Sequence, residues 1–169
     1  MQFNITTDYA VRTVLFLAIK KELTASSEIA TAMDIPSHYI LKITNKLAKG
    51  GIIKRYRGVK GGFTLAVDIN DITLFDIVNL FEPTIKINRC LEHDEQYKHF
   101  AVDYGPVQCI YTVMQKKWEK MLKEVNLTAL MDIKATKSIY KDQKDLDYEA
   151  IVKQFKTTPV RKRRVVKHA

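Results

Sequence analysis

Two short stretches with apolar residues at helical spacing lie close together in the chain, and a proline separates them. Ser26 is a candidate cap for the first stretch, and Ser37 is expected to cap the second. Pro36 breaks the chain between them, because a proline disfavours helical backbone at the residue before it. An earlier helix, with Thr7 as its candidate cap, gives both stretches a surface to pack on, and the glycines at 50–51 end the second. Two short helices joined by a tight turn predict a helix-turn-helix unit.

A β-hairpin pattern follows the second of these helices without a gap. Residues 52–57 and 62–67 contain branched and aromatic side chains, and the glycine-rich turn 58–61 lies between them. A helix-turn-helix followed at once by a basic hairpin is the layout of a winged helix. The expected fold class is therefore mostly α with a small β-hairpin, a winged helix-turn-helix plus a long dimerisation helix further along the chain.

The same segment carries much of the basic charge. The chain has 28 Lys and Arg against 19 Asp and Glu, a net charge of +9. Residues 35–67 contain no acidic residue and seven basic ones, namely Lys42, Lys46, Lys49, Lys54, Arg55, Arg57 and Lys60. A solvated face would account for a short run of charge, but a patterned segment free of carboxylates favours binding to phosphates.

Further helix signals follow the hairpin. Thr73 and Asp76 form a T-x-x-D capping pair, and Pro83 stops the helix that they begin. Residues 84–108 have the mixed composition of a loop, and a long helix is expected from about residue 108 to residue 126.

Apolar residues recur along one side of the long helix. They are Ile110, Val113, Met114, Trp118, Met121, Leu122 and Val125. Such a stripe needs a surface that buries it, and two interpretations remain open: packing on its own domain, or a homodimer interface.

The chain divides into five expected regions. They are a winged helix-turn-helix DNA-binding domain at 1–83, a loop at 84–108, a dimerisation helix region at 109–133, a polar C-terminal helix or extension at 134–156, and a basic, disordered tail at 157–169. The tail could add nonspecific phosphate contacts or only increase solubility.

Short motifs over residues 1–133 agree with one known family. They are Thr7-Asp8-Tyr9-Ala10-Val11-Arg12, Glu28-Ile29-Ala30, Ile35-Pro36, Tyr39-Ile40-Leu41-Lys42-Ile43, Gly51-Ile52-Ile53, Arg57-Gly58-Val59-Lys60-Gly61-Gly62-Phe63-Thr64-Leu65, Ile72-Thr73-Leu74-Phe75-Asp76-Ile77-Val78 and Phe81-Glu82-Pro83, with Cys90, Cys109, Trp118 and Leu130 beyond. On these residues the sequence resembles the bacterial winged-helix repressors typified by the iron–sulfur cluster regulator IscR and the nitric-oxide-sensitive repressor NsrR. It is more similar to the NsrR branch.

The resemblance implies a homodimer that binds double-stranded DNA at near-palindromic operators. The third helices of the dimer would enter successive major grooves and the wings would contact the flanking minor grooves. The residues expected to contact DNA are Ser26, Ser27, Pro36, Ser37, His38, Tyr39, Lys42, Lys46, Arg55, Arg57, Gly58 and Lys60. Leu41 stands where many relatives carry a polar base-reading residue. A place in the core is slightly favoured for it over contact with a thymine methyl group.

Cluster-binding relatives carry three closely spaced cysteines before the long helix, and some add a carboxylate from the partner subunit. The family resemblance therefore implies that the loop at 84–108 is a sensor loop. Cys90 and Cys109 match the first and last cysteine and Asp8 matches the carboxylate, but the middle cysteine is missing. His93 or His99 could complete an iron–sulfur site. The cofactor therefore stays open between an iron–sulfur cluster, a thiol switch without a metal, and two unreactive cysteines.

The remaining function classes are narrowed by what the sequence lacks. It has no HExxH, GxSxG, P-loop or CxxC motif, so an enzyme is not expected. No apolar run is long enough for a transmembrane helix, and no export signal precedes the first helix, so no membrane partner and a cytoplasmic location are expected. The leading hypothesis is a dimeric repressor with a redox, nitric-oxide or iron–sulfur signal read near Cys90 and Cys109. The alternatives are a cluster-free regulator that responds to a small molecule or to thiol oxidation, and a dimeric interaction module that has lost DNA binding.

Overall fold

The computed structural model describes residues 2–92 and 105–131. The helices are α1 (Ile5–Lys20), α2 (Ser26–Ala32), α3 (Ser37–Lys49), α4 (Leu74–Phe81), α5 (Gly105–Glu124) and α6 (Leu127–Leu130); the strands are β1 (Ile53–Tyr56) and β2 (Gly62–Leu65). Short 3-10 turns lie at Ile69–Asp71 and Arg89–Leu91. The expected fold class, mostly helical with one antiparallel hairpin, is confirmed. Within the described ranges no helix is long and apolar enough to cross a membrane.

Several expectations lie outside the described residues. They concern His93 and His99, the polar helix expected at 134–156 and the basic tail at 157–169.

One hydrophobic core joins the first four helices to the hairpin. Val14 and Leu17 of α1, Ile43 and Leu47 of α3 and Ile77 of α4 are all buried in it. These residues recur at helical spacing on their helices, so each helix buries one face and exposes the other. The core therefore determines which residues of α3 face outward.

The expected helix caps are only partly correct. Asn4, not Thr7, caps α1, and the buried Thr7 hydroxyl donates instead to a carboxylate oxygen of Glu82. Ser26 and Ser37 are the first residues of α2 and α3, and neither helix has a side-chain cap. Serine at a helix start is compatible with both positions, so the sequence alone could not separate a cap from a first helical residue.

The capping box at the start of α4 is present as expected. The Thr73 hydroxyl accepts from the Asp76 N–H, and the Asp76 carboxylate accepts from the Thr73 N–H at 2.9 Å. The helix ends at Phe81, two residues before Pro83.

The hairpin is fastened to the loop before α2. Ile53 pairs with Leu65 and Tyr56 with Gly62 across the two strands. On its other side, Phe63 exchanges two backbone hydrogen bonds with Thr24, at 2.9 and 3.0 Å. These two hydrogen bonds fix the wing, which is the hairpin of β1 and β2, relative to the helix-turn-helix unit.

The long helix begins earlier than the sequence indicates. It starts at Gly105, so Pro106 is its second residue and Cys109 lies inside the helix rather than before it. Proline fits the first turn of a helix because the backbone N–H that it lacks has no partner there in any case. The helix packs on α4, where Leu122 is 1% exposed.

Candidate nucleic-acid interface

The outer face of α3 consists of the residues that do not belong to its buried face. Ile40, Ile43, Thr44 and Leu47 are buried, whereas the exposed residues are Ser37, His38, Leu41, Lys42, Asn45 and Lys49. Each exposed residue lies three or four positions from another one, so together they form one stripe along the helix. Leu41 is 54% exposed and not part of the core, which makes the favoured expectation for it wrong.

The wing continues this stripe. The exposed end of the hairpin consists of Arg57, Gly58, Val59 and Lys60. Gly58 has a φ of 115° there, a backbone conformation that residues with a side chain rarely adopt. A pocket with a volume of about 240 Å³ lies between α2, α3 and the wing, and Leu41 lines it together with wing residues. The stripe and the wing are therefore parts of one surface, which we call the α3–wing surface.

The α3–wing surface is basic, and its cations have no carboxylate partner among the described residues. Within residues 2–92 and 105–131, no salt bridge involves any of its exposed cations, which are Lys42, Lys49, Lys54, Arg55, Arg57 and Lys60. The salt bridges of the described residues lie elsewhere, on α1, α2 and α5. Cations without partners attract phosphates strongly because no intramolecular contact has to be broken first.

Two of the expected contact residues are engaged with the protein itself. The Lys46 ammonium lies 3.4 Å from the Phe81 carbonyl oxygen and 5.1 Å from the centre of the Phe81 ring, so it faces α4. Tyr39 is half-buried and packs edge-on against Tyr9 of α1, with ring centres 5.5 Å apart. Neither side chain points outward with the other expected residues.

Contact between the expected residues and DNA stays a prediction, and the structure gives the exposure of each one. Nine of the twelve are exposed, namely Ser27, Pro36, Ser37, His38, Lys42, Arg55, Arg57, Gly58 and Lys60; Ser26 is half-buried, as are Tyr39 and Lys46.

Asn45, Lys49 and Lys54 are also exposed on this surface but are not among the expected contact residues, although helical spacing from His38 points to the first two. Arg55 reaches from β1 to α3, where its guanidinium donates to the Asn45 side-chain oxygen at 3.1 Å.

Known proteins share both the sequence pattern and the fold of this chain. The profile of the Rrf2 family, described as iron-dependent transcriptional regulators, matches residues 3–133. The chain belongs to the Rrf2 family. A protein of Aquifex aeolicus named as an HTH-type transcriptional regulator is 31% identical over 126 residues, which cover 74% of this chain and 83% of that protein. The regulator NsrR of Halalkalibacterium halodurans is 31% identical over 96 residues, which cover 56% of this chain and 66% of NsrR.

A solved structure agrees with the fold. CymR, the global cysteine regulator of B. subtilis, has a TM-score of 0.60 at 22% identity and covers 78% of this chain and 96% of its own. The family places this chain among DNA-binding transcriptional regulators and not among enzymes, as the sequence predicts.

Among residues 2–92 and 105–131, the candidate ligands of an iron–sulfur cluster do not form a complete site in this Rrf2 chain. Cys90 is half-buried and Cys109 is exposed, and both are free thiols. The Asp8 carboxylate lies 2.7 Å from the Arg12 guanidinium. Across the described ranges, no three His, Cys, Asp or Glu side chains are grouped closely enough to hold a metal ion. Iron–sulfur clusters favour thiolate ligands. The donor side chains in this part of the chain therefore do not fit such a cluster.

The two halves of the apolar stripe on α5 differ in how far they are buried. Its C-terminal part packs on the protein's own core through Leu122, with Trp118, Met121 and Val125 half-buried. Its N-terminal part remains open, with Ile110, Val113 and Met114 at 62%, 52% and 50% exposed. Packing on its own domain therefore accounts for the C-terminal half of the stripe, and the homodimer interface stays a prediction for the N-terminal half.

Proposed function

We propose that this chain is a dimeric, sequence-specific repressor that binds its operator through the α3–wing surface and reads a chemical signal at Cys90 and Cys109. The observation that carries the proposal is the continuous basic surface of α3 and the wing, whose cations have no carboxylate partner among the described residues. An α-helix with a polar and basic outer face fits the major groove, and an arginine beside glycine at a hairpin end fits a narrow minor groove.

Base recognition would come from the middle of α3. Leu41 offers an apolar contact to a thymine methyl group, and Lys42 offers a cation to a phosphate or to a guanine edge. Asn45 is held by Arg55, so these two side chains would read bases as a pair. The operator is therefore expected to contain a thymine opposite Leu41 in each half-site.

Dimerisation is supported by the open half of the α5 stripe. Three large apolar side chains within about one helical turn are exposed there, which is unusual for a surface helix that has no partner. A second copy of the chain would cover them and would place two α3 helices on one face, as a palindromic operator requires.

The wing is expected to bind phosphates in a way that is visible in the salt dependence of operator binding. Alanine at Arg57 or at Lys60 should lower operator affinity and reduce the slope of log K against log salt by about 1 for each phosphate that is no longer neutralised. The measurement is fluorescence anisotropy on a duplex that the wild-type protein has enriched from a random-sequence pool. Lys120→Ala, an exposed lysine on α5, is the matched control and should leave the slope unchanged. If both wing variants keep the wild-type slope, the wing does not contact phosphates.

The signal is proposed to act on the thiols themselves. Gln108, next to Cys109, donates to the Cys90 carbonyl oxygen at 3.2 Å, which ties the two cysteine segments together. Oxidation by hydrogen peroxide to a disulfide, within or between subunits, would remove two electrons and two protons and form two molecules of water. The bond requires Cα atoms within about 7 Å, so forming it would fix the approach of these segments.

Anaerobic purification is expected to yield protein without stoichiometric iron or sulfide, because the described donors do not form a cluster site. Peroxide should then change operator affinity by about tenfold, within the usual range of allosteric coupling. Cys90→Ser should abolish this response while keeping the affinity of the reduced protein. Stoichiometric iron and sulfide that are lost in Cys90→Ala would instead establish a cluster and overturn the thiol mechanism.

A further inference from the structure

A short segment joins the end of α4 to the first cysteine, and we call its residues 81–87 the strap. Gln115 of α5 holds the backbone of the strap at two points. Its Nε2 donates to the Ile85 carbonyl oxygen at 3.1 Å, and its Oε1 accepts from the Ile87 N–H at 2.8 Å. The Gln115 side chain thus supplies the pair of hydrogen bonds that a neighbouring strand would supply. Gln115 is only 5% exposed, so these bonds are not exchanged readily for bonds to water.

A charged pair reinforces the Gln115 contact. The second Nε2 hydrogen of Gln115 donates to the Glu119 carboxylate at 2.8 Å, and this bond is the main cause that lowers the pKa of Glu119. The ionised Glu119 also lies 3.2 Å from the Lys86 ammonium of the strap. Both amide hydrogens of Gln115 and its oxygen are therefore engaged, and α5 holds three consecutive strap residues.

The other end of the strap is held by the helix-turn-helix unit. The Lys46 ammonium of α3 bonds to the Phe81 carbonyl oxygen and lies over the Phe81 ring. Glu82 accepts hydrogen bonds from the Asn4 N–H at 2.9 Å and from the Thr7 hydroxyl of α1. The strap is thus in contact with α1, α3 and α5, and the Lys46 side chain of α3 bonds to its backbone.

We infer that Gln115 and Lys46 are positioning residues for operator binding, and that the long helix sets the orientation of α3 through the strap. The inference rests on the proposed use of α3 in the major groove. Lys46 then acts through the Phe81 carbonyl and not on a phosphate, unlike the other lysines of the segment. These residues form one continuous set of contacts from α5 to α3, the kind of physical network that can carry such a coupling.

The test is a double-mutant cycle in operator binding with Gln115→Met and Lys46→Met, on the duplex selected by the wild-type protein. Each single variant is expected to lower the affinity about tenfold, or about 1.4 kcal/mol, with the salt slope of binding unchanged. The double variant is expected to bind no more weakly than either single one, because both break the same connection. Gln108→Met, another glutamine of α5 whose bond lies beyond the strap, is the matched control and should bind as wild type does when reduced.

Three results would overturn the inference while wild-type binding remains specific. They are wild-type affinity in Gln115→Met, reductions in affinity that multiply in the double variant, and a slope reduced by about 1 in Lys46→Met, which would make Lys46 a phosphate-binding residue. Urea unfolding followed by the single tryptophan, Trp118, identifies a variant that fails to fold. If Gln115→Met does not fold, the slope and affinity of Lys46→Met decide alone. A wild-type protein that enriches no sequence from the pool would overturn the proposed function and this inference together. This result differs from the three above, in which the wild-type protein still binds its operator specifically.

Discussion

Ile110→Glu is expected to convert the protein into a folded monomer that has lost high-affinity operator binding. Ile110 is 62% exposed in the single chain, so a glutamate there remains solvated and the protomer keeps its own core. In a dimer that covers the α5 stripe, the same carboxylate would be buried against apolar side chains without a partner, which costs several kcal/mol. Because two linked half-sites bind far more tightly than one, affinity should fall on the order of 10²-fold or more.

Sedimentation velocity and operator binding, measured on the same samples, test this expectation. Lys116→Glu is the control, since it lies on the same helix away from the stripe and changes the charge by a larger amount. It should remain dimeric and bind within a few-fold of the wild type. If Ile110→Glu is still dimeric at micromolar concentration, the open half of the stripe is not the interface. If it is monomeric yet binds as tightly as the wild type, the dimer does not matter for DNA binding.

The pattern of helices and hairpin can be predicted from the sequence because its signals are local. The capping box at Thr73 and the break at Pro36 follow from the chemistry of single residues and their neighbours. The expected start of the first helix is wrong because Thr7 and Asn4 are both good caps. Only the tertiary bond from Thr7 to Glu82 decides between them, and that bond joins residues 75 positions apart.

The α3–wing surface is predictable as a segment but not residue by residue. Absence of carboxylates over 35–67 identifies the segment, whereas the direction of each side chain depends on what the core buries. An apolar side chain such as that of Leu41 is usually found in the core, but on α3 the core side is occupied by Ile40 and Ile43, and Leu41 is exposed. The charge of Lys46 favours a phosphate, but the Phe81 carbonyl, 35 positions away, draws its ammonium toward α4. Pairs at such separations have no local signature in the sequence.

Gly62→Ala is expected to destabilise the protein and misplace the wing. A Cβ at this position would lie 2.5 Å from the Thr24 carbonyl oxygen and 2.8 Å from its carbon, and these are backbone atoms that cannot move aside alone. Relief requires the hairpin to separate from Thr24, which breaks the two hydrogen bonds of Phe63 and shifts this buried ring. Overpacking and two broken hydrogen bonds together suggest that the free energy of unfolding falls by about 3 kcal/mol.

Urea unfolding measures this decrease in the free energy of unfolding for Gly62→Ala. The operator affinity of the folded fraction should fall as well, because Arg57 and Lys60 move with the hairpin. Thr64→Ala on the same strand introduces no clash and should change the free energy of unfolding by less than about 0.5 kcal/mol. A Gly62→Ala protein with the stability of the wild type would mean that the wing is not held against Thr24, and the continuity of the α3–wing surface would then lack its structural basis.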